Sequence, residues 1–230
     1  MDIDRNGARE AFARYVSAYD PTNERIALKI AHTYRVASLA ERIARSIGLD
    51  EHDVDLAWLV GLLHDIGRFE QVRRYDTFRD ADSVSHAALG VEVLFDEGRI
   101  RDFVDTGADG LIRQAVALHS EFRLPEGLDE RARTLCDVLR DADKVDIIRS
   151  VAKASPSTIL GVDERALALS TVSPAARRAF DERRCMLCAE RTGPADILVS
   201  FACFAFELAY PESRRAMREQ GYLLDLLRHP

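Results

Sequence analysis

Leu62-Leu63-His64-Asp65-Ile66-Gly67-Arg68 closes a long apolar run with an imidazole and a carboxylate side by side, and a glycine follows two residues later. Residues 54–63, Val-Asp-Leu-Ala-Trp-Leu-Val-Gly-Leu-Leu, are apolar almost all round at helical length. That is the pattern of a helix buried inside an α-domain. Gly67 is expected to take the left-handed conformation that ends such a helix. His64 and Asp65 then fall in its last turn, where neither side chain can stay unpaired cheaply. Hydrogen bonding would satisfy a lone pair of this kind, and so would a metal ion.

Upstream, residues 7–19 place Phe12, Tyr15, Val16 and Tyr19 on one helical face and stop before Pro21. Thr22 or Asn23 then caps a long helix over 24–47 whose stripe includes Leu28, His32, Val36, Leu39 and Ile43. His32 lies on that stripe at helical spacing and faces inward. Gly48 ends this helix, and Asp50 or Asp53 starts the one that carries His64 and Asp65.

Downstream, residues 68–82 form a charged, partly aromatic connection, read either as a rim over a site or as a solvated surface helix and loop. Residues 83–97 read as a helix with Ala87, Val91, Leu94 and Phe95 inward and His86 flanking that stripe. Residues 107–120 put Ile112, Ala115, Val116 and His119 on one face. Asp129 caps a helix through 150 in which Leu135, Leu139, Ala142 and Asp143 share a face, so a carboxylate points where the apolar residues point. Helices resume at 175–189, at 194–210 and after Pro211, and residues 197–210 are apolar enough to be core. No repeat, low-complexity tract or convincing strand interrupts the pattern, so the fold class is all-α.

The chain has 230 residues, 47% of them hydrophobic and 31% charged, enough for one sizeable core. A formal charge of −7 and a pI near 5.4 argue against nonspecific nucleic-acid binding. An acidic opening and the lack of an 18-residue apolar span lead us to expect a cytoplasmic protein with no membrane partner. Cysteines at 136, 185, 188 and 203 fit no disulfide ladder. Cys185-Met186-Leu187-Cys188 has zinc-like spacing without a second pair nearby, and is read as small core residues in a helix.

Of six histidines, His32, His64, His86 and His119 each lie at or beside the inward face of a different helix, and Asp65 and Asp143 do likewise. Taken singly, each has an ordinary explanation as a hydrogen-bonded side chain, and His52 and His229 receive that explanation outright. Together they form a nitrogen and oxygen donor set suited to Fe, Mn, Co, Ni or Zn.

The order His32, His64-Asp65, Asp143 resembles the HD superfamily of metal-dependent phosphohydrolases, over roughly residues 20–150. His86 and His119 resemble the additional ligands of the members that hold two metals. The resemblance implies a compact helical HD-domain bundle over that span and does not explain the additional C-terminal helices. With no linker to cut those helices off, a single domain, 1–230, is expected, with the metal-binding core at 20–150 and residues 151–230 packed on it. The resemblance implies that His32, His64, Asp65 and Asp143 bind one divalent transition metal and that Asp65 bridges to a second held by His86 and His119. Asp141 and Asp146 are read as solvated or supporting groups beside Asp143. A metal-activated water would attack phosphorus, with Lys144 and Arg68, and Arg35 more weakly, meeting the phosphate charge.

The expected activity is hydrolysis of a phosphate ester of a small molecule, a nucleotide or nucleotide derivative above all, by a phosphomonoesterase or phosphodiesterase. Phe69, Tyr75 and Phe78 could stack a base, though core packing explains aromatics more often. No Gly-Tyr-Pro tripeptide occurs, which argues against a cyclic dinucleotide substrate. The competing readings are a regulatory module that binds metal or nucleotide without turnover, and a di-iron oxygenase using the same ligands. The C-terminal helices could complete the core, line the pocket or form a homodimer face.

Overall fold

Helical periodicity along the sequence is realised as helices, and no strand occurs among the residues described by the computed structural model, 3–105 and 107–227. His229 lies outside the described residues. Contacts gather the chain into two compact units, Met1–Ala142 and Asp143–Pro230.

The first unit holds α1 (Arg5–Val16), α2 (Glu24–Ser46), α3 (Glu51–Leu63), α4 (Ile66–Tyr75), α5 (His86–Val91), α6 (Asp109–Leu118) and the first half of α7 (Glu130–Lys153). Carboxylates start two of these helices, α3 and α7, where the sequence places them. Asp50 accepts from the Asp53 amide at 2.8 Å and Asp129 from the Ala132 amide at 2.9 Å, each satisfying a donor the helix itself leaves open. α3 is buried on every side from Leu56 to Leu63, which is why its sequence shows no polar face. α2 packs across it at Gly61, where a Cβ would lie 2.7 Å from the Ala37 Cα. That crossing requires glycine.

The end of α3 differs from expectation. α3 stops at Leu63, His64 and Asp65 form a junction, and the chain re-enters a helix at Ile66. Asp65, at φ −104° and ψ 16°, is the residue that breaks the helix. Gly67 is therefore not a left-handed terminator but lies inside α4. Its role is long-range: a Cβ there would sit 2.2 Å from the His86 carbonyl oxygen and 2.4 Å from the Gly90 amide nitrogen, so the bare backbone lets α4 lie against α5.

Much of the presumed rim at 68–82 is consequently helix. Phe69 is fully buried, with ring centroids 5.8, 5.9 and 5.5 Å from Phe12, Tyr15 and Tyr19. It is a core residue and no base platform. α4 ends at Asp76, which takes the left-handed conformation, and a short connection leads to α5.

The second unit holds the rest of α7, then α8 (Pro156–Ile159), α9 (Glu164–Ala168), α10 (Pro174–Asp181), α11 (Pro194–Ala202), α12 (Pro211–Gln220) and α13 (Tyr222–Leu227). Ala176, Ala179 and Met186 pack together with Val199 against them. Arg183 adopts φ 55° and ends the α10 segment early. Residues 185–187 are therefore irregular rather than part of α10 and Cys188 opens a short 3-10 turn, Cys188–Glu190, with Cys185 buried and Cys188 exposed. Among the described residues, no helix is long and apolar enough to cross a membrane.

Gly67→Ala is expected to lower the unfolding free energy by about 2–4 kcal/mol, because the added methyl meets backbone that cannot move aside cheaply. Thermal denaturation against wild type reads this directly, and an unchanged midpoint would contradict the contact.

Candidate metal centre

Asp65 is the centre of the first unit. Its side chain is 3% exposed, and its two oxygens look in different directions. Oδ2 lies 3.5 Å from His32 Nε2 and 3.4 Å from His64 Nε2, and Lys29 Nζ forms an ion pair with it. Oδ1 lies 3.7 Å from both His86 Nε2 and His119 Nε2, and 3.6 Å from Arg68 Nε. Burial alone would raise the Asp65 pKa, but the Lys29 ammonium, then His64 and the hydrogen bonds of His119 and His32, hold it well below the usual carboxylate range. The carboxylate is ionised.

Four helices deliver the imidazoles. His32 rides on the buried face of α2 and is brought to His64 by the Gly61 crossing, their Nε2 atoms 3.3 Å apart. His64 follows the last residue of α3 and presents Nδ1 to the Gly61 carbonyl at 2.8 Å. His86 opens α5, and His119 follows the last residue of α6 with Nδ1 on the Val116 carbonyl at 2.7 Å. A carbonyl can only accept, so the Nδ1 atoms of His64 and His119 carry the ring proton and their Nε2 atoms, in the neutral ring, offer lone pairs.

His86 reaches the same state by another route. Its Nδ1 lies 2.7 Å from Asp80 Oδ2, which fixes the tautomer. Burial first, then the nearby Arg68 charge, push the His86 pKa down to about 3 against the opposing pull of Asp80. The ring is neutral at physiological pH. His86 Nε2 and His119 Nε2 face each other at 3.0 Å, and with both rings neutral each turns a lone pair toward the other, an arrangement that a cation relieves. The ligand atoms of Asp65, His86 and His119 all lie within 4.8 Å of one another.

The supporting groups were less visible in the sequence. Asp80 also accepts from Arg68 at 3.0 Å and from Gln71 Nε2 at 2.8 Å, which anchors it for His86. Arg140, buried on α7, donates to the carbonyls of Leu118 and His119 at 3.2 Å and to that of Glu121, closing the open end of α6 behind its ligand. Lys29 precedes His32 by three residues, so helical spacing would have placed it on the same face. Asp80 and Gln71 left no periodic signal.

Other expected residues are placed as follows. Arg35 is half-buried on α2, and the cation that α2 puts on Asp65 is Lys29. Asp143 and Lys144, both half-buried on α7, begin the second unit, where Lys144 Nζ lies 3.8 Å from Glu207 Oε2 and 5.9 Å from the centre of the Phe204 ring. Asp141 and Asp146 are buried at 2% and 0% exposure, which removes their solvated reading. His52 lies at the start of α3 with Asp53 at 3.4 Å and Arg131 at 3.2 Å. Phe78 carries Lys29 and Arg68 over its ring at 5.5 and 5.7 Å, and Tyr75 is 44% exposed.

Compared with known proteins, the chain matches a family model described as HD domain over residues 30–148. No curated protein and no solved structure gives a match.

In the presence of a chelator, the depressed His86 pKa has a measurable consequence. The unfolded chain takes up the proton near pH 6.5 and the folded one near 3, so stability is complete above about 6.5 and falls as the pH drops below it. Between pH 4.5 and 6, His86→Gln should flatten the pH dependence of the unfolding free energy by up to about 1.4 kcal/mol per pH unit. Parallel slopes in denaturant titrations would show that His86 is protonated in the folded metal-free protein.

Proposed function

The chain belongs to the HD-domain family, and from that membership we propose that it is a metal-dependent phosphohydrolase acting on the phosphate ester of a small molecule, with nucleotides and their derivatives the first class to assay. The observation that carries the reading is the division of the Asp65 carboxylate, one oxygen toward the His32 and His64 pair and the other toward the His86 and His119 pair. This donor set fits two divalent transition metals, Fe, Mn, Co, Ni or Zn, better than magnesium, because imidazole nitrogen outnumbers oxygen.

In the proposed assignment, His32, His64 and Asp65 would hold one metal, and Asp65, His86 and His119 the other. Asp143 joins the first set, and Lys144 serves as a phosphate-binding cation; both fall within the matched span of the family. Bound there, divalent ions lower the pKa of water to yield hydroxide near neutral pH and polarise the phosphoryl oxygens. The protein's own residues prepare the site for that chemistry. Asp80 and the Gly61 and Val116 carbonyls hold His86, His64 and His119 in the tautomer that leaves Nε2 free. Arg68, 15% exposed in its side chain, is directed toward Asp65 and positioned to meet negative charge on the phosphoryl group. Arg35 is a second candidate for that contact.

The test begins with metal content. Wild type purified without chelator should carry about two transition metals per chain, and His86→Ala and His119→Ala about one. Wild type should also hydrolyse a chromogenic phosphomonoester with added Mn and lose that activity on chelation. Protein that takes up no metal after reconstitution would overturn the hydrolase reading, and metal without turnover would favour a binding module.

A further inference from the structure

We infer that Lys29, Arg68 and Phe78 form a two-cation clamp that selects a doubly charged phosphomonoester over a singly charged phosphodiester. The inference deepens the phosphohydrolase reading and rests on it. Lys29 and Arg68 approach Asp65 from different helices, α2 and α4, and each addresses a different oxygen. Both also lie over the one Phe78 ring, at 5.5 and 5.7 Å from its centre, so the aromatic face gathers two cations that would otherwise repel. With its ring covered in this way, Phe78 is a platform for charge and not for a base.

These cations are 14% and 15% exposed, and charges so placed need counter-charge. Arg68 has part of its counter-charge in Asp80, yet its Nε is buried without a hydrogen-bond partner, 3.6 Å from Asp65 Oδ1. Lys29 relies on Asp65. A single carboxylate cannot both neutralise Lys29 and serve two metal seats, so loading the seats leaves the ammonium in want of an anion.

The chemistry of the anion follows from counting oxygens. Two side-by-side cations occupy two non-bridging oxygens, and the seats beneath need a third. A phosphomonoester has three such oxygens and carries close to two charges at neutral pH, its second pKa lying near 6. A phosphodiester has two and carries one.

Calorimetric titration of inorganic phosphate and of dimethyl phosphate into metal-loaded protein tests this, with metal content measured on every sample. Phosphate should bind wild type at least about tenfold more tightly than dimethyl phosphate does. Lys29→Gln should weaken phosphate by about tenfold or more at unchanged metal content, Lys29→Arg should restore most of it, and Phe78→Leu should weaken it by about threefold. Equal affinity for the two probes, or a Lys29→Gln variant that binds phosphate as wild type does, overturns the clamp. So does loss of metal in Lys29→Gln, which would make Lys29 part of the seats. Should Lys29→Gln not fold, the Phe78→Leu titration decides alone. Wild-type protein without metal overturns the hydrolase reading itself, whereas a metal-loaded, ester-hydrolysing protein indifferent to Lys29 overturns only the clamp.

Discussion

One buried negative charge organises the first unit. A carboxylate as enclosed as Asp65 costs several kcal/mol to desolvate, and the fold offsets that cost with Lys29 and Arg68 on opposite oxygens. The backbone is shaped to the same end. Gly61 lets α2 and α3 close on each other so that His32 meets His64, and Gly67 lets α4 lie on α5 so that His86 comes up beside Asp65. Either methyl group would widen a helix pair that carries a metal-type ligand.

The all-α class and the imidazole set were legible because helical period does both jobs at once. A histidine on an apolar stripe must point where the stripe points, and His32 and His119 are buried as that logic requires. The junction at His64 and Asp65 was not legible. A helix that breaks for two residues and resumes looks the same in sequence as one that ends at a nearby glycine, and the backbone contact that explains Gly67 is made with residues about twenty positions away. Phe69 stood open between base platform and core, and the continuing helix decides it by turning the ring into the core beside Phe12 and the two tyrosines. Lys29 had the right spacing to be found, but a lysine beside an apolar stripe ordinarily reaches out to solvent. Asp80 sits in a connection without periodicity, so nothing in the sequence ties it to His86.

The cysteines take no part in this chemistry. Burial pushes the thiols of Cys136 and Cys203 up to about 11 and that of Cys185 up to about 12, so all three remain protonated at neutral pH and are poor ligands and nucleophiles. Their contribution is packing, and among the described residues none of the clusters able to hold a metal includes a cysteine.

The paired imidazoles come from distant parts of the chain, 32 residues apart for His32 with His64 and 33 for His86 with His119. Neither pair exists in an unfolded polymer except by closing a long loop, and both require helix packing to hold their geometry. An ion held by these pairs would thus be captured by the native state alone, and by mass action would draw the folding equilibrium toward that state. With the seats filled in this way, metal supply would become a determinant of how long the folded protein survives.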